Sequence, residues 1–445
     1  MADRQQFGAN LWLVDEMYQE YLRHPDSVSE TWQEFFSDYR PAWEPLNGER
    51  DRTDGQRSRS RTAARPDDRT QTNGRATTRT DGDASAVPDD ATPLRGVAAT
   101  IAENMSVSLG VPTATSIRVV PAKLLEVNRK ILNNQLRRKR GGKVSFTHLI
   151  GWATVQAMLR LPAMTSVYHS DADGKSYMRR PDAINLGLAM DLERKDGSRT
   201  LLVPNIKDAG ALDFGGFFRA YEDVVRKVRR NELSPELFAG TTATLTNPGT
   251  VGTVGSVPRL MPGQSVILGV GAIGYPAEYK AADPRTLAEL GVGKVITLTS
   301  TYDHRVIQGA ESGLFLALIE QMLLGEHEFY DDIFTSLQIP YEPARWRTDE
   351  NPRVAGRSGD YLGAKQVAVQ QMMNNYRVRG HLTANLNPLM HDFQRLHPEL
   401  DPLTYGLTIW DLDREFLTGN VCGKPVMPLG ELLGVMRDAY CRTVG

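Results

Sequence analysis

Cysteine is nearly missing from this sequence. Cys422 and Cys441 are the only two in 445 residues, and both lie near the C-terminus. Two thiols placed so locally cannot frame a disulfide scaffold, and a reducing compartment fits. Long apolar runs are missing as well. Nothing approaches the roughly 20 apolar residues of a membrane-spanning helix. The opening MADRQQFGANLWLV carries no apolar core of signal-peptide length. The expectation is a cytoplasmic protein with no membrane contact. Charge of one sign is lacking too. Lys and Arg number 52 against 54 Asp and Glu, a formal net charge of −2, and nothing in that balance points to nucleic acid or a membrane surface.

Large apolar side chains vanish from one internal stretch. Between Asn47 and Ala91 the only large aliphatic residue is Val87, and no aromatic occurs. Such a segment cannot bury enough apolar area to offset the entropy of ordering it. Nine arginines between Arg50 and Arg79 suggest a nucleic-acid tail, but six aspartates from Asp51 to Asp83 are interleaved with them. The field nearly cancels, and a solvated, disordered linker over 43–91 is the expectation.

What is present suffices for two or three domains: 445 residues, 40% of them hydrophobic. Residues 1–42 hold two short amphipathic patterns. Leu11, Val14, Met17, Tyr18 and Tyr21 recur at helical spacing, and Ser29 is placed to cap a second helix with Trp32, Phe35 and Phe36 on one face. Two small helices cannot bury that much aromatic surface alone, so they dock on this chain or on a partner. Residues 92–327 alternate helical and strand patterns and read as α/β. Helices are expected over 94–105, 122–138, 145–161, 214–230 and 310–324. Strands are expected over 114–120, 184–190, 201–204, 242–246, 266–270 and 294–300. Residues 328–445 read as a new unit with a helix over 361–378. The chain stops within an apolar pattern from Leu429 to Met436, either a cut through a longer polypeptide or a natural final helix.

One run carries chemistry: Thr301-Tyr302-Asp303-His304-Arg305-Val306-Ile307-Gln308-Gly309-Ala310. Its histidine falls between a strand pattern and a helix pattern, where a side chain is exposed on a loop held by rigid elements. A neutral imidazole accepts a proton near pH 7, and a thiol needs such a base to become a good nucleophile. The run resembles the DHRxxDG motif of the acyltransferase components of 2-oxoacid dehydrogenase complexes, a family related in fold to chloramphenicol acetyltransferase. Further matches follow in the family's order: Ala102-Glu103-Asn104-Met105-Ser106, Lys143-Val144-Ser145-Phe146-Thr147-His148, Asn185 to Ala189, Leu202 to Ile206, Leu233 to Leu237, Thr244 to Asn247, and Ser265 to Gly269.

The resemblance implies a mixed-sheet acyltransferase domain. His304 then stands where the family's thiol base stands, and Thr246 where its oxyanion-stabilising hydroxyl stands. Gln308 completes the candidate catalytic set, replacing the family's Asp with an uncharged amide that still hydrogen-bonds. In this family sites form between subunits, so a homotrimer or larger oligomer is implied, with His304 and Thr246 meeting from different chains. CoA is the implied substrate, and Arg137, Arg138, Lys139 and Arg140 are available to its phosphates or form a solvated helix end. The linker offers no lipoyl domain. The acyl group would arrive on the lipoyl arm of another acyltransferase component, with dihydrolipoamide dehydrogenase as a further partner.

Residues 10–36, and Tyr376 to Leu389, resemble the start of the thiamine-diphosphate-dependent component of 2-oxoglutarate dehydrogenase. The acyltransferase domain thus looks inserted near the beginning of a decarboxylase, and a succinyl group is the implied cargo. That component's diphosphate–Mg²⁺ motif, GDG followed by an Asn, is absent from these residues. Thiamine diphosphate and Mg²⁺ belong to a longer protein, no metal site is expected here, and His381 is expected to be structural. The alternative reading is a non-catalytic oligomerising core that scaffolds the decarboxylase.

Overall fold

The computed structural model describes residues 7–8, 10–37, 39, 91–94, 97–138, 141–193, 199–351, 359–384 and 397–441. The expected disorder of 43–91 (Ala91 apart), the basic residues Lys139 and Arg140, the motif residues 385–389 and the last four residues lie outside them.

Two helices open the chain, α1 (Leu11–Arg23) and α2 (Glu30–Ser37). Then come α3 (Val97–Ser108), β1 (Thr113–Pro121), α4 (Lys123–Arg138) and α5 (Phe146–Arg160). The hairpin β2 (Val167–Ser170) and β3 (Ser176–Arg179) precedes β4 (Leu186–Leu188). A second hairpin, β5 (Met190–Glu193) and β6 (Arg199–Leu202), leads to β7 (Asn205–Ile206), α6 (Phe214–Arg229) and β8 (Ala243–Thr246). Next are β9 (Val266–Val270), α7 (Pro284–Glu289), β10 (Val295–Asp303), α8 (Gly309–Leu323) and α9 (Phe329–Ser336). The last stretch holds α10 (Gly359–Arg379), β11 (Glu415–Leu417), β12 (Val426–Pro428) and α11 (Leu429–Tyr440).

Six strands form the main sheet in the order β1-β10-β9-β8-β4-β7. β10 pairs antiparallel with β1 and β9, the β9–β8 and β8–β4 pairs are parallel, and β7 closes antiparallel on β4. This is the α/β architecture expected from the sequence pattern, with the mixed sheet that the resemblance implies. β9, Val-Ile-Leu-Gly-Val, is buried at every position, as a central strand covered on both faces requires. α5 is apolar on nearly all sides because it is itself covered, packing against α6 and α8.

Three expectations shift. The first helix of the domain starts three residues later than expected, at Val97. The strand expected over 184–190 divides into β4 and β5. The strand expected over 201–204 lies two residues earlier, as β6: Leu201 and Leu202 end the β5–β6 hairpin, and Pro204 has no N–H with which to continue a ladder. Val203 instead finds its partner in the leader.

That partner is Asn10. Its amide accepts from Val203 N–H at 2.8 Å and donates to Val203 C=O at 2.8 Å, imitating a neighbouring strand. Trp32 is 1% exposed, stacks on Phe36 at 5.1 Å, and donates from Nε1 to Leu233 C=O at 2.6 Å. The leader's aromatics therefore bury against this chain, joining the same core as the α/β sheet.

The new unit expected from residue 328 begins later: Phe329, Tyr330, Ile333 and Phe334 of α9 join the core of the sheet, and the separate C-terminal core includes Met372, Met373, Tyr376, Leu432 and Met436. Arg414 joins it to the α/β domain. All five of its N–H donors are used: Nη1 to Asp349 and Asp411, Nη2 to Asp349 and Glu289 C=O, and Nε to Ala288 C=O. Lys365 donates to both oxygens of Asp411, at 2.7 and 2.8 Å. Among the described residues, no helix is long and apolar enough to cross a membrane.

His148, near the start of α5, is buried at 2% exposure between Phe218 and Tyr221. Its Nδ1 accepts from Ser145 N–H at 2.9 Å, and Nε2 faces Glu222 at 3.2 Å without the alignment of a hydrogen bond. Burial pushes its pKa down to about 4.

Two outcomes follow from this packing. Trp32→Ala is expected to destabilise leader docking by about 3–5 kcal/mol, so limited proteolysis should release residues 7–37 while the sheet stays resistant; unchanged resistance of that segment would contradict the docking. His148 is neutral in the fold and protonates more readily when unfolded. Its contribution is complete above pH 6.5 and drains as pH falls from 6.5 to 4, by about 3 kcal/mol. A His148→Leu variant should lose that stretch of pH dependence in melting temperature; equal slopes in the two proteins would rule it out.

Candidate functional site

β10 runs to Asp303, three residues past the expected strand end, because β1 stays paired with it to Thr113↔Asp303. His304 therefore leaves directly from the rim of the sheet. Its backbone N–H donates to Pro112 C=O at 3.0 Å, and its ring Nδ1 lies 3.0 Å from Ile307 C=O. A carbonyl can only accept, so Nδ1 carries the proton and Nε2 holds the free lone pair. Residues 304–308 connect the strand to α8, and the His304 side chain is exposed.

Neighbours fix this turn. The buried Asp303 carboxylate accepts from Arg305 N–H at 3.1 Å, Nε at 2.9 Å and Nη2 at 2.6 Å. Those bonds hold the Arg305 guanidinium more firmly charged than usual. That guanidinium lies 3.7 Å over the Tyr168 ring on β2. This hairpin was not among the expected strands, although Asp171-Ala172-Asp173-Gly174 between two short alternating runs is a turn signal. Gln308 is exposed at the N-cap of α8, and its backbone N–H donates to the Glu311 carboxylate at 2.6 Å.

Thr246 is the last residue of β8, half-buried, and opposite Gly269, which in turn faces Thr299. The loop after it folds back tightly. A Cβ on Gly249 would sit 2.4 Å from the Gly271 backbone, and one on Gly271 would sit 1.8 Å from Val254 O, so only glycine fits at either place. Asn247 donates to Thr147 Oγ1 at 2.8 Å, anchoring the end of β8 to the start of α5.

The structure does not bring His304 and Thr246 together within one chain. The register puts Thr246 level with Thr299, and His304 follows five residues later on β10. At about 3.3 Å per residue the two lie about 16 Å apart along the strand direction alone. Of the basic run, Arg138 pairs with Asp438 of α11 and donates to Tyr341 Oη at 3.1 Å, while Arg137 donates to Asn134 at 2.8 Å. His381 occupies a short helical turn, where its C=O accepts from Ala384 N–H. No group of three or more metal-ligating side chains occurs among the described residues.

Residues 87–329 match the family described as 2-oxoacid dehydrogenases acyltransferase (catalytic domain), and residues 3–42 match the 2-oxoglutarate dehydrogenase N-terminus. The chain is 46% identical over 491 aligned positions to the multifunctional 2-oxoglutarate metabolism enzyme of Mycobacterium sp. (strain JLS), covering 99% of this chain and 38% of that one. With the protein of the same name from Mycolicibacterium vanbaalenii it shares 48% over 478 positions, 99% of this chain and 37% of that one. The chain thus spans less than two fifths of the length of the curated relatives it matches. Among solved structures, a probable dihydrolipoamide acetyltransferase from Listeria monocytogenes aligns at a TM-score of 0.45 and 25% identity, over 54% of this chain and 95% of that one. The dihydrolipoamide acetyltransferase of Azotobacter vinelandii aligns at 0.44 and 23%, over 56% and 93%. With more than half of its residues inside that match, the chain belongs to the 2-oxoacid dehydrogenase acyltransferase family.

Proposed function

We propose that residues 92–327 transfer a succinyl group between CoA and dihydrolipoamide, with His304 as the base. One observation carries the assignment of the base: Ile307 C=O holds the Nδ1 proton, so Nε2 is oriented as an acceptor at the sheet rim. Nε2 removes the proton of the incoming thiol. The thiolate attacks the thioester carbonyl, and negative charge moves onto the carbonyl oxygen. A donor placed there lowers the barrier by about 2.7–4 kcal/mol, and the Thr246 hydroxyl is the donor proposed. Collapse expels the second thiolate, which recovers the proton from the His304 imidazolium. Succinyl as the cargo rests on the names of the curated relatives.

The distance between Thr246 and His304 in one chain supports a site shared between subunits, so the proposed working form is a homotrimer or a larger core. Gln308 opens α8 close behind the histidine, and its amide is available to orient the loop but cannot pair with a charge. Residues 1–42 and 328–445 are proposed as parts of a decarboxylase that acts on 2-oxoglutarate. Thiamine diphosphate and Mg²⁺ would serve it in the remainder of a longer protein. The lipoyl group would come from a separate acyltransferase component, and dihydrolipoamide dehydrogenase would reoxidise it.

Succinyl transfer from succinyl-CoA to dihydrolipoamide should be measurable in the assembled oligomer. His304→Ala should lower kcat by 100-fold or more, on the order expected for a general base, and Thr246→Ala by about 10²–10³-fold, both with the oligomer intact. Wild-type oligomer without transfer would make the domain a scaffold.

A further inference from the structure

We infer that the seam between α4 and the C-terminal unit is a binding site for a small organic anion with an apolar body. A cavity of about 360 Å³ runs along one face of α4, which contributes Lys123, Val127, Lys130, Asn134 and Arg138. Residues 123 to 138 cover about 22 Å of helix at 1.5 Å per residue, so the cavity is elongated. Leu433 and Arg437 of α11 form the facing wall. The volume falls within the range of small-molecule sites.

The charges around it do not balance. Lys123 pairs with Asp413, Lys294 with Glu126, Arg138 with Asp438, and Arg345 with Asp331 and Glu342. Asp401 accepts from Leu403 N–H at 3.0 Å and faces Arg345. Lys130 and Arg437 also line the cavity, and among the described residues neither has a carboxylate within ion-pair distance.

Arg437 is the sharper case. Its guanidinium lies 5.0 Å from the Tyr341 ring centroid, and its Nε donates to Tyr376 Oη at 3.4 Å. Neither partner is a carboxylate. On the same helix Leu432, Leu433 and Met436 are buried, so the charge borders a core. Arg437 is itself half-buried, and a partly desolvated cation favours a counter-charge. The planar fork of a guanidinium matches a carboxylate or a phosphate. Val127, Ile131, Leu407 and Ile409 line the cavity as well and would receive the apolar body.

An occupant would touch α4 of the acyltransferase domain and α11 of the C-terminal unit at once, and so would stabilise their seam by mass action. This inference does not depend on the proposed acyl transfer.

Calorimetric titration of the whole chain tests it, with phenyl phosphate and 4-phenylbutyrate as probes and inorganic phosphate and 4-phenylbutanol as controls. At least one amphipathic anion should bind about tenfold or more tightly than either control; which of the two does so identifies the head group. Arg437→Met and Lys130→Met should each weaken that binding, with Arg437→Lys retaining part of it. Lys130 is exposed, so its variant remains informative even where Arg437→Met fails to fold. Bound anion should also slow amide exchange in both α4 and α11. Binding of neither anion, equal binding of the alcohol, or binding that Lys130→Met and Arg437→Lys both leave unchanged would overturn the site.

Discussion

The register of β10 is the constraint on which the rest depends. It pairs along its whole length with β1 and over five positions with β9. Every residue from Leu298 to Asp303 is buried. A one-residue slip would turn all of those side chains to the opposite face. With the register held, His304 emerges at the rim and the turn into α8 follows from local bonds. Asp303 clasps Arg305, Ile307 holds the imidazole, and Glu311 caps the helix start. The position of the proposed base is thus set by the sheet rim and by local bonds in the turn.

The same sheet separates the two proposed partners of the reaction. β8 and β9 run parallel and β10 runs against them, so Thr246 ends its strand at one rim while His304 leaves β10 at the other. No side-chain rotation closes about 16 Å. Under the proposed mechanism a neighbouring subunit must bring its own rim, and assembly becomes a condition of catalysis rather than an addition to it.

The flanking segments are joined by polar contacts of high specificity. Asn10 imitates a strand against Val203, Trp32 caps the carbonyl of Leu233, and Arg414 spends five donors on four residues, of which Ala288 and Glu289 lie across the C-terminal junction. Buried polar groups of this kind are costly when left unpaired and so fix one arrangement over its alternatives. The α4–α11 seam differs. Among the described residues, its cavity keeps Lys130 and Arg437 without a carboxylate, where the Arg414 junction leaves no donor unused.

The sequence by itself determined the alternation of helices and strands in the central domain, the histidine at a strand-to-helix boundary, and the family motif around it. These are local signals: apolar periodicity, turn residues and contiguous motif positions. It did not reveal the β2–β3 hairpin under Arg305, and it misplaced a strand over Leu201–Pro204, because short polar strands carry little periodicity and Val203 bonds to a residue far away in the chain. Only the tertiary structure decided that the leader folds back on its own chain, that Arg138 faces Asp438, and that Thr246 and His304 lie at opposite rims. Each of those depends on pairing register and on contacts between distant segments, which side-chain order along the chain does not encode directly.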